Sequence, residues 1–208
     1  MISLFLNTSV DFLSVAIVKD DVVLDSFYTK LNNDLSKITL SVIDDMLNRL
    51  SISKRDIDKI VCVNGPGSFT GLRIGVTIAK VWAYSLNIDI IGVSSLYVLA
   101  TGVEGDYIVP IIDARRGYVY AGIYDGNYNV IMNDCYISLE ELSNKVSELS
   151  SDVVYVSSNG FNGSVVYSPN IERIFKYIDM SNVSNCFSFV PNYLKRVEAE
   201  EKLNGQGC

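Results

Sequence analysis

The chain has 208 residues, a net charge of −7 and not one histidine. Hydrophobic residues make up 49% and charged residues 20%, enough apolar surface for a core of one large or two small domains and too much for a disordered chain. The acidic balance disfavours a protein whose whole surface binds nucleic-acid backbone; if RNA is involved, something else is expected to hold most of it.

Met1–Val10 lacks a basic leader and no apolar run reaches membrane-spanning length, so the expectation is a cytoplasmic protein without a membrane partner. Cys62, Cys135, Cys186 and Cys208 are widely separated and form no metal-binding or disulfide spacing. The three N-x-S/T matches at Asn7, Asn162 and Asn182 have no meaning without secretion.

In chain order, Ile2–Leu6, Phe12–Val18 and Val22–Tyr28 predict three strands joined by tight turns. Leu35, Ile38, Val42, Ile43, Met46, Leu47 and Leu50 then recur at helical spacing, with Asn33 or Asp34 as cap. A strand over Lys59–Asn64, a helix over Gly71–Leu86, a strand over Ile88–Val93 and a capped helix from Ser94 to Ala100 complete a first cycle. A second cycle begins with strands at Tyr107–Asp113, Tyr118–Tyr124 and Asn129–Tyr136, the last two joined by the turn Asp125-Gly126-Asn127. Ser138-Leu139-Glu140-Glu141 is a capping box for a helix to about Leu149, followed by a strand at Val153–Ser157. Residues 159–185 read as loop, and 192–203 as a terminal helix after Pro191. The repeated order of elements predicts two stacked α/β lobes, 1–102 and 103–208, with the terminal helix returning to the first.

Gly65-Pro66-Gly67-Ser68-Phe69-Thr70-Gly71 lies between a strand and a helix, where free amides and the helix dipole suit an anion. Its G-x-G-x-x-x-G spacing is neither a dinucleotide fingerprint nor a P-loop. Two readings stand: an anion site using Gly65, Gly67, Ser68 and Thr70, or a tight turn without a ligand. The helix that follows is apolar nearly all round, so it is expected to be buried on more than one side. Gly71, Gly75, Ala79 and Ala83 form a small-residue stripe that faces either a partner helix or the chain's own core. Arg73 in the first turn opposes the dipole and calls for an acidic group nearby. Arg115 and Arg116 suit a carboxylate, a phosphate or an internal pair with Asp113. Ser51-Ile52-Ser53-Lys54 matches S-x-x-K, but the companion motifs of acyl-transfer enzymes are missing. Ser68 and Thr70 have no histidine to activate them.

Asn64–Ala79, Gly92-Val93-Ser94-Ser95-Leu96, Asp113–Tyr120 and Pro191-Asn192-Tyr193-Leu194 together resemble the TsaB (YeaZ) family, in order and across nearly the whole chain. The resemblance implies an actin-like ATPase (ASKHA, ribonuclease H-like) fold. It further implies a non-catalytic subunit in the synthesis of threonylcarbamoyladenosine beside the tRNA anticodon. The partners implied are a catalytic TsaD-like paralogue and a TsaE-like ATPase, with a homodimer when alone and tRNA met only through the complex. Metal and nucleotide are expected on those partners, and no cofactor on this chain. The first two long helices, through Leu35, Ile38, Val42, Met46, Gly71, Arg73, Gly75, Ala79 and Ala83, are the expected interface. The sequence departs from the superfamily pattern at Asn7, where an acidic residue usually precedes Thr-Ser, and at Asn32-Asn33-Asp34, where a histidine is often found. Asn7 argues against the alternative of a small-molecule phosphotransferase, because an amide cannot supply charge to a phosphate-bound cation. A metallopeptidase nearly fails on the missing histidines: carboxylate-only metal sites exist, but no paired acidic motif stands out.

Overall fold

A computed structural model describes residues 1–10, 12–30 and 35–195. The strands are β1 (Ile2–Asn7), β2 (Phe12–Lys19), β3 (Val22–Lys30), β4 (Lys59–Gly65), β5 (Asp89–Ser94), β6 (Tyr107–Asp113), β7 (Tyr118–Asp125), β8 (Val130–Ser138), β9 (Val153–Ser157), β10 (Val165–Val166) and β11 (Val183–Ser184). The helices are α1 (Leu35–Leu50), α2 (Phe69–Leu86), α3 (Ser95–Ala100), α4 (Leu139–Ser147) and α5 (Ile171–Tyr177).

The strands form two sheets of one design. The first runs β11-β5-β4-β1-β2-β3 and the second β10-β9-β6-β7-β8. In each, a three-strand antiparallel meander (β1-β2-β3, β6-β7-β8) continues in parallel from its first strand, to β4 and β5 or to β9 and β10. The chain therefore builds the same ribonuclease H-like sheet twice, in agreement with the repeated order of elements in the sequence.

β1 is a continuous apolar run because it is central and covered on both faces. Leu4 and Leu6 join a cluster with Ile43, Met46 and Leu47 of α1 and Val76, Ile78, Ala79 and Ala83 of α2. Phe5 points the other way, into a cluster with α3, α5, and Ile108, Tyr124 and Val156 of the second sheet. A third cluster lies under α4, around Val109, Val119, Ile123 and Leu142. The layers are thus α1/α2, first sheet, α3/α5, second sheet and α4, and the middle layer is shared by both lobes.

Local signals explain most element ends. Ser68 caps α2 through Gly71 N, so the helix starts at Phe69, two residues ahead of the expected start, and the left-handed Asn87 closes it. Ser138 and Glu141 form the expected capping box, and α4 ends at Ser147 rather than 149. Asp125 Oδ1 accepts from the amides of Asn127 and Asn129, which fixes the β7–β8 hairpin.

Two expectations need correction. The segment 159–185 is not all loop: it contains β10, α5 and β11, and α5 buries Ile171, Ile174 and Phe175 beneath the cap of Asn170. The terminal helix expected at 192–203 is absent over its described part, 192–195, and its remainder lies outside the described residues. So do the capping candidates Asn33 and Asp34, the stretch from Asn32 to Asp34, and Cys208.

After α5 the chain returns to the first sheet. β11 pairs with β5, Lys59 Nζ donates to Met180 O at 3.0 Å, Lys80 Nζ to Phe187 O at 3.1 Å, and Asn192 N to Asn64 O at 2.7 Å. The lobes are also tied by Asp134 of β8, which accepts from Ser94 Oγ at the start of α3 and from Tyr124 Oη at 2.7 Å. Burial lifts the Asp134 carboxyl above the ordinary carboxylate value of 3.8, against the opposing pull of those two hydroxyls.

A raised folded-state value means that the native protein holds this proton more tightly than the unfolded chain. The contribution of Asp134 to stability is therefore greatest below pH 3.8 and declines as pH rises until the folded carboxyl has also ionised. Asp134→Asn keeps an acceptor and removes the titration. Its melting temperature relative to the parent should rise with pH across that window and then level off. A difference independent of pH would refute the assignment.

Candidate functional site

A cleft of about 400 Å³ opens between the lobes. Ser9, Gly67 and Ser68 line it from the first lobe, and Asp113, Arg115 and Tyr120 from the second. In an α/β fold of this layout the crevice at the strand ends is the natural place for a ligand.

The glycine loop is turned inward. Ser68 N donates to Ser9 O at 2.7 Å, Ser68 Oγ accepts from Gly71 N at 3.3 Å, and Ser68 O accepts from Leu72 N at 2.9 Å. A Cβ on Gly67 would lie 2.0 Å from Ser9 O. The loop thus spends donors on the chain itself where an anion site would aim them outward. Thr70 is exposed, and Gly65 is packed under the returning chain, its Cβ position 2.6 Å from Asn192 O.

Asn7 is buried, and its Oδ1 accepts from Ser9 N at 3.0 Å and Ser9 Oγ at 2.7 Å. Its amide shapes the β1–β2 turn that presses on the glycine loop. Among the described residues no three His, Cys, Asp or Glu side chains converge as metal ligands.

The small-residue stripe faces the protein's own first sheet and its β1–β2 turn, which corrects the partner-facing reading. Cβ atoms on Gly71 and Gly75 would meet Thr8 O at 2.0 Å and Thr8 Oγ1 at 2.3 Å. Ala79 and Ala83 are buried at 0% and 2% exposure, and Met46 at 0%. None of these five is a surface position. The glycines are there so that α2 can lie directly on the β1–β2 turn, where Thr8 Oγ1 donates to Gly71 O at 2.7 Å.

Leu35, Ile38 and Val42 instead sit half-buried along α1, on the flank where Arg49 pairs with Asp25 of β3, while Ile74 and Trp82 are half-buried on α2. Leu40 on the other flank of α1 and Val81 of α2 are exposed apolar positions, at 44% and 57%.

Arg73 finds aromatic rather than acidic company. Its guanidinium lies 3.8 Å from the Phe69 ring centre, and its Nε donates to Tyr193 Oη at 3.3 Å. The negative face of a ring compensates for the unfavourable dipole position. Tyr193 could not be assigned to this role from sequence, because it lies 120 positions away in the chain.

Arg115 and Arg116 occupy the β6–β7 hairpin with left-handed φ values of 69° and 55°, followed by Gly117 at 79°. Asp113 holds the turn by accepting from Arg115 N at 2.8 Å and pairing with its guanidinium at 3.2 Å. The internal Asp–Arg pair is thus present, yet the Arg115 side chain remains 85% exposed. The S-x-x-K stretch is structural: Ser53 caps a short turn over Lys54–Asp56, and Lys54 pairs with Asp44 at 2.6 Å. Cys62 is a core residue whose thiol burial pushes up to about 12.

The doubled sheet and the cleft define a two-lobed α/β protein of the actin-like class. A family model described as "TsaD: tRNA N6-adenosine threonylcarbamoyltransferase" matches residues 30–192. The chain is 33% identical to the tRNA threonylcarbamoyladenosine biosynthesis protein TsaB of Bacillus subtilis over 97% of each chain. It is 31% identical to the TsaB protein of Escherichia coli, over 74% of this chain and 70% of that one. The solved structure of YeaZ from Pseudomonas aeruginosa shares the fold, with a TM-score of 0.77 over 93% of this chain and 99% of that one, at 22% identity. The chain belongs to the TsaB (YeaZ) family. No helix among the described residues is long and apolar enough to cross a membrane.

Proposed function

We propose that this protein is a non-catalytic subunit in the synthesis of threonylcarbamoyladenosine on tRNA, binding a catalytic TsaD-like paralogue through the surface of α1 and α2. The observation that carries this reading is apolar surface on the two long helices of the first lobe: Leu40 of α1 and Val81 of α2 are 44% and 57% exposed, and Leu35, Ile38, Val42, Ile74 and Trp82 are only half-buried. A chain that shares its fold with a paralogue can bury such a face by docking two alike lobes. In the paralogue's absence a second copy would take the same place. The TsaE-like ATPase then joins the pair, and the resident metal and nucleotide sit on those partners.

The lack of histidine and the use of Asn7 and Ser68 N within the fold support assigning the chemistry to the paralogue. They also weigh against a phosphotransferase working in this chain's own cleft.

The test uses sedimentation and threonylcarbamoyl transfer with the purified paralogue. Val81→Glu places a charge on this surface without touching the core. It should weaken heterodimer and homodimer by more than about tenfold, since a buried unpaired charge is strongly disfavoured. Transfer per assembled complex should stay near the parent value at saturating concentration. Unchanged association, or robust transfer by the isolated chain, would overturn the reading.

A further inference from the structure

Beside the cleft, whose lining includes Ser68, Arg115 and Tyr120, the surface forms a rim of cations and aromatic rings in alternation. On the first lobe Arg73 lies over Phe69, and the Phe69 and Tyr193 rings are 5.3 Å apart. On the second, Tyr118 stacks on Tyr136 at 4.8 Å and 5°, Tyr120 leans on the same ring at 5.7 Å, and Lys195 Nζ sits 5.3 Å above it. Tyr193 and Lys195 are two positions apart in non-helical chain, a step of at most ~7 Å. The two clusters are therefore neighbours, joined by the returning C-terminal segment. Arg115 and Arg116 extend the second cluster, because their hairpin leads directly into Tyr118.

These groups are open to solvent: Phe69 is 52% exposed, Tyr193 41% and Tyr118 39%. Asp113 offsets Arg115, and the Glu141 carboxylate accepts from Ser138 N and Ser138 Oγ in the cap of α4. Two left-handed arginines in succession store backbone strain, which persists where the surroundings hold a presented group in place.

We propose that this rim is a contact surface for single-stranded RNA. Unpaired bases stack on Tyr118 and on the Phe69–Tyr193 pair, and backbone phosphates meet Arg115, Arg116 and Lys195. Rings interleaved with cations are how proteins hold unpaired nucleotides, whereas an acidic peptide would need the cations alone. The net charge of −7 and a local basic rim are compatible: the overall field keeps affinity low, and the rim gives it a place and an orientation. The inference rests on the proposed subunit function for the identity of the RNA, an anticodon loop, and extends it by giving this chain a direct contact with that RNA.

The experiment measures fluorescence anisotropy of a labelled anticodon stem-loop RNA, and of a fully paired RNA hairpin, with the full chain at low salt. The measurement is repeated with the paralogue present. Arg115→Asn/Arg116→Asn removes two charges while keeping residues that tolerate left-handed φ. It should weaken stem-loop binding about tenfold and flatten the logarithmic salt dependence by roughly 1.4. Tyr118→Ala should weaken the stem-loop about five- to tenfold and leave the paired hairpin unchanged. Thermal melts of both variants confirm folding. No binding at low salt, or binding insensitive to both variants, overturns the proposal. So does loss of paralogue association with RNA binding intact, which would make the rim a protein-docking surface. If Val81→Glu leaves paralogue association untouched while the arginine variant still loses RNA, the subunit function fails and the RNA surface stands.

Discussion

Gly71→Ala should destabilise the protein by about 3 kcal/mol or more, because the added carbon meets backbone that cannot rotate away. The new Cβ would lie 2.0 Å from Thr8 O, and the same residue's carbonyl must keep its bond from Thr8 Oγ1 at 2.7 Å. Relief requires α2 to lift off β1, which opens the cluster containing Leu4, Leu6, Val76 and Ala79. At this chain length such a loss lowers the melting temperature by roughly 10 °C.

Gly75→Ala gives the internal control. Its Cβ meets the Thr8 side chain, with Oγ1 at 2.3 Å and the next atoms no nearer than 3.6 Å. Thr8→Ala removes that oxygen and should rescue Gly75→Ala while leaving Gly71→Ala unrescued. Urea unfolding of the two single glycine variants and the two doubles reads this directly. Equal rescue of both glycines, or a Gly71→Ala midpoint like the parent's, would show that the close approach of α2 to the β1–β2 turn is wrong. The same geometry bears on any use of these glycines to probe association: a large residue at Gly75 disturbs the fold before it reaches a partner.

Phe175→Ala should cost about 3–5 kcal/mol, the range for emptying a fully packed aromatic site. Phe175 is 4% exposed and meets Phe5 of β1 edge-on at 6.3 Å. It belongs to the cluster shared by both lobes, so its loss should affect them together, with one cooperative transition at a lower denaturant midpoint. Exposed Tyr177, two positions on at 40% exposure, is the comparison and should change little on truncation. A Phe175→Ala protein as stable as the parent would mean that α5 is an appendage.

The sequence by itself determined the strands β1 to β9, the long helices and the capping box of α4. Alternation, helical spacing and residues such as Ser68, Ser138 and Asp125 act within a few positions, so their signals lie along the chain. It also held the departure at Asn7 and the absence of histidine, which are matters of composition. The helix α5 was within reach: Asn170 followed by Ile171, Ile174 and Phe175 is a cap and one apolar face, but seven residues give too little periodicity against a loop-rich background.

Tertiary structure alone decided what the faces of α2 touch. A small-residue stripe permits close approach and does not say to whom; here Thr8, 63 positions before Gly71, fills it. Arg73 needed compensation for the helix dipole, and the chain supplied it from Phe69 nearby and from Tyr193 at the far end. The aromatic and basic residues of the cleft rim come from four separated segments. They meet because the C-terminal strand β11 draws the last described residues back across the first sheet. Contacts of this range depend on how layers stack, and no local pattern encodes the stacking.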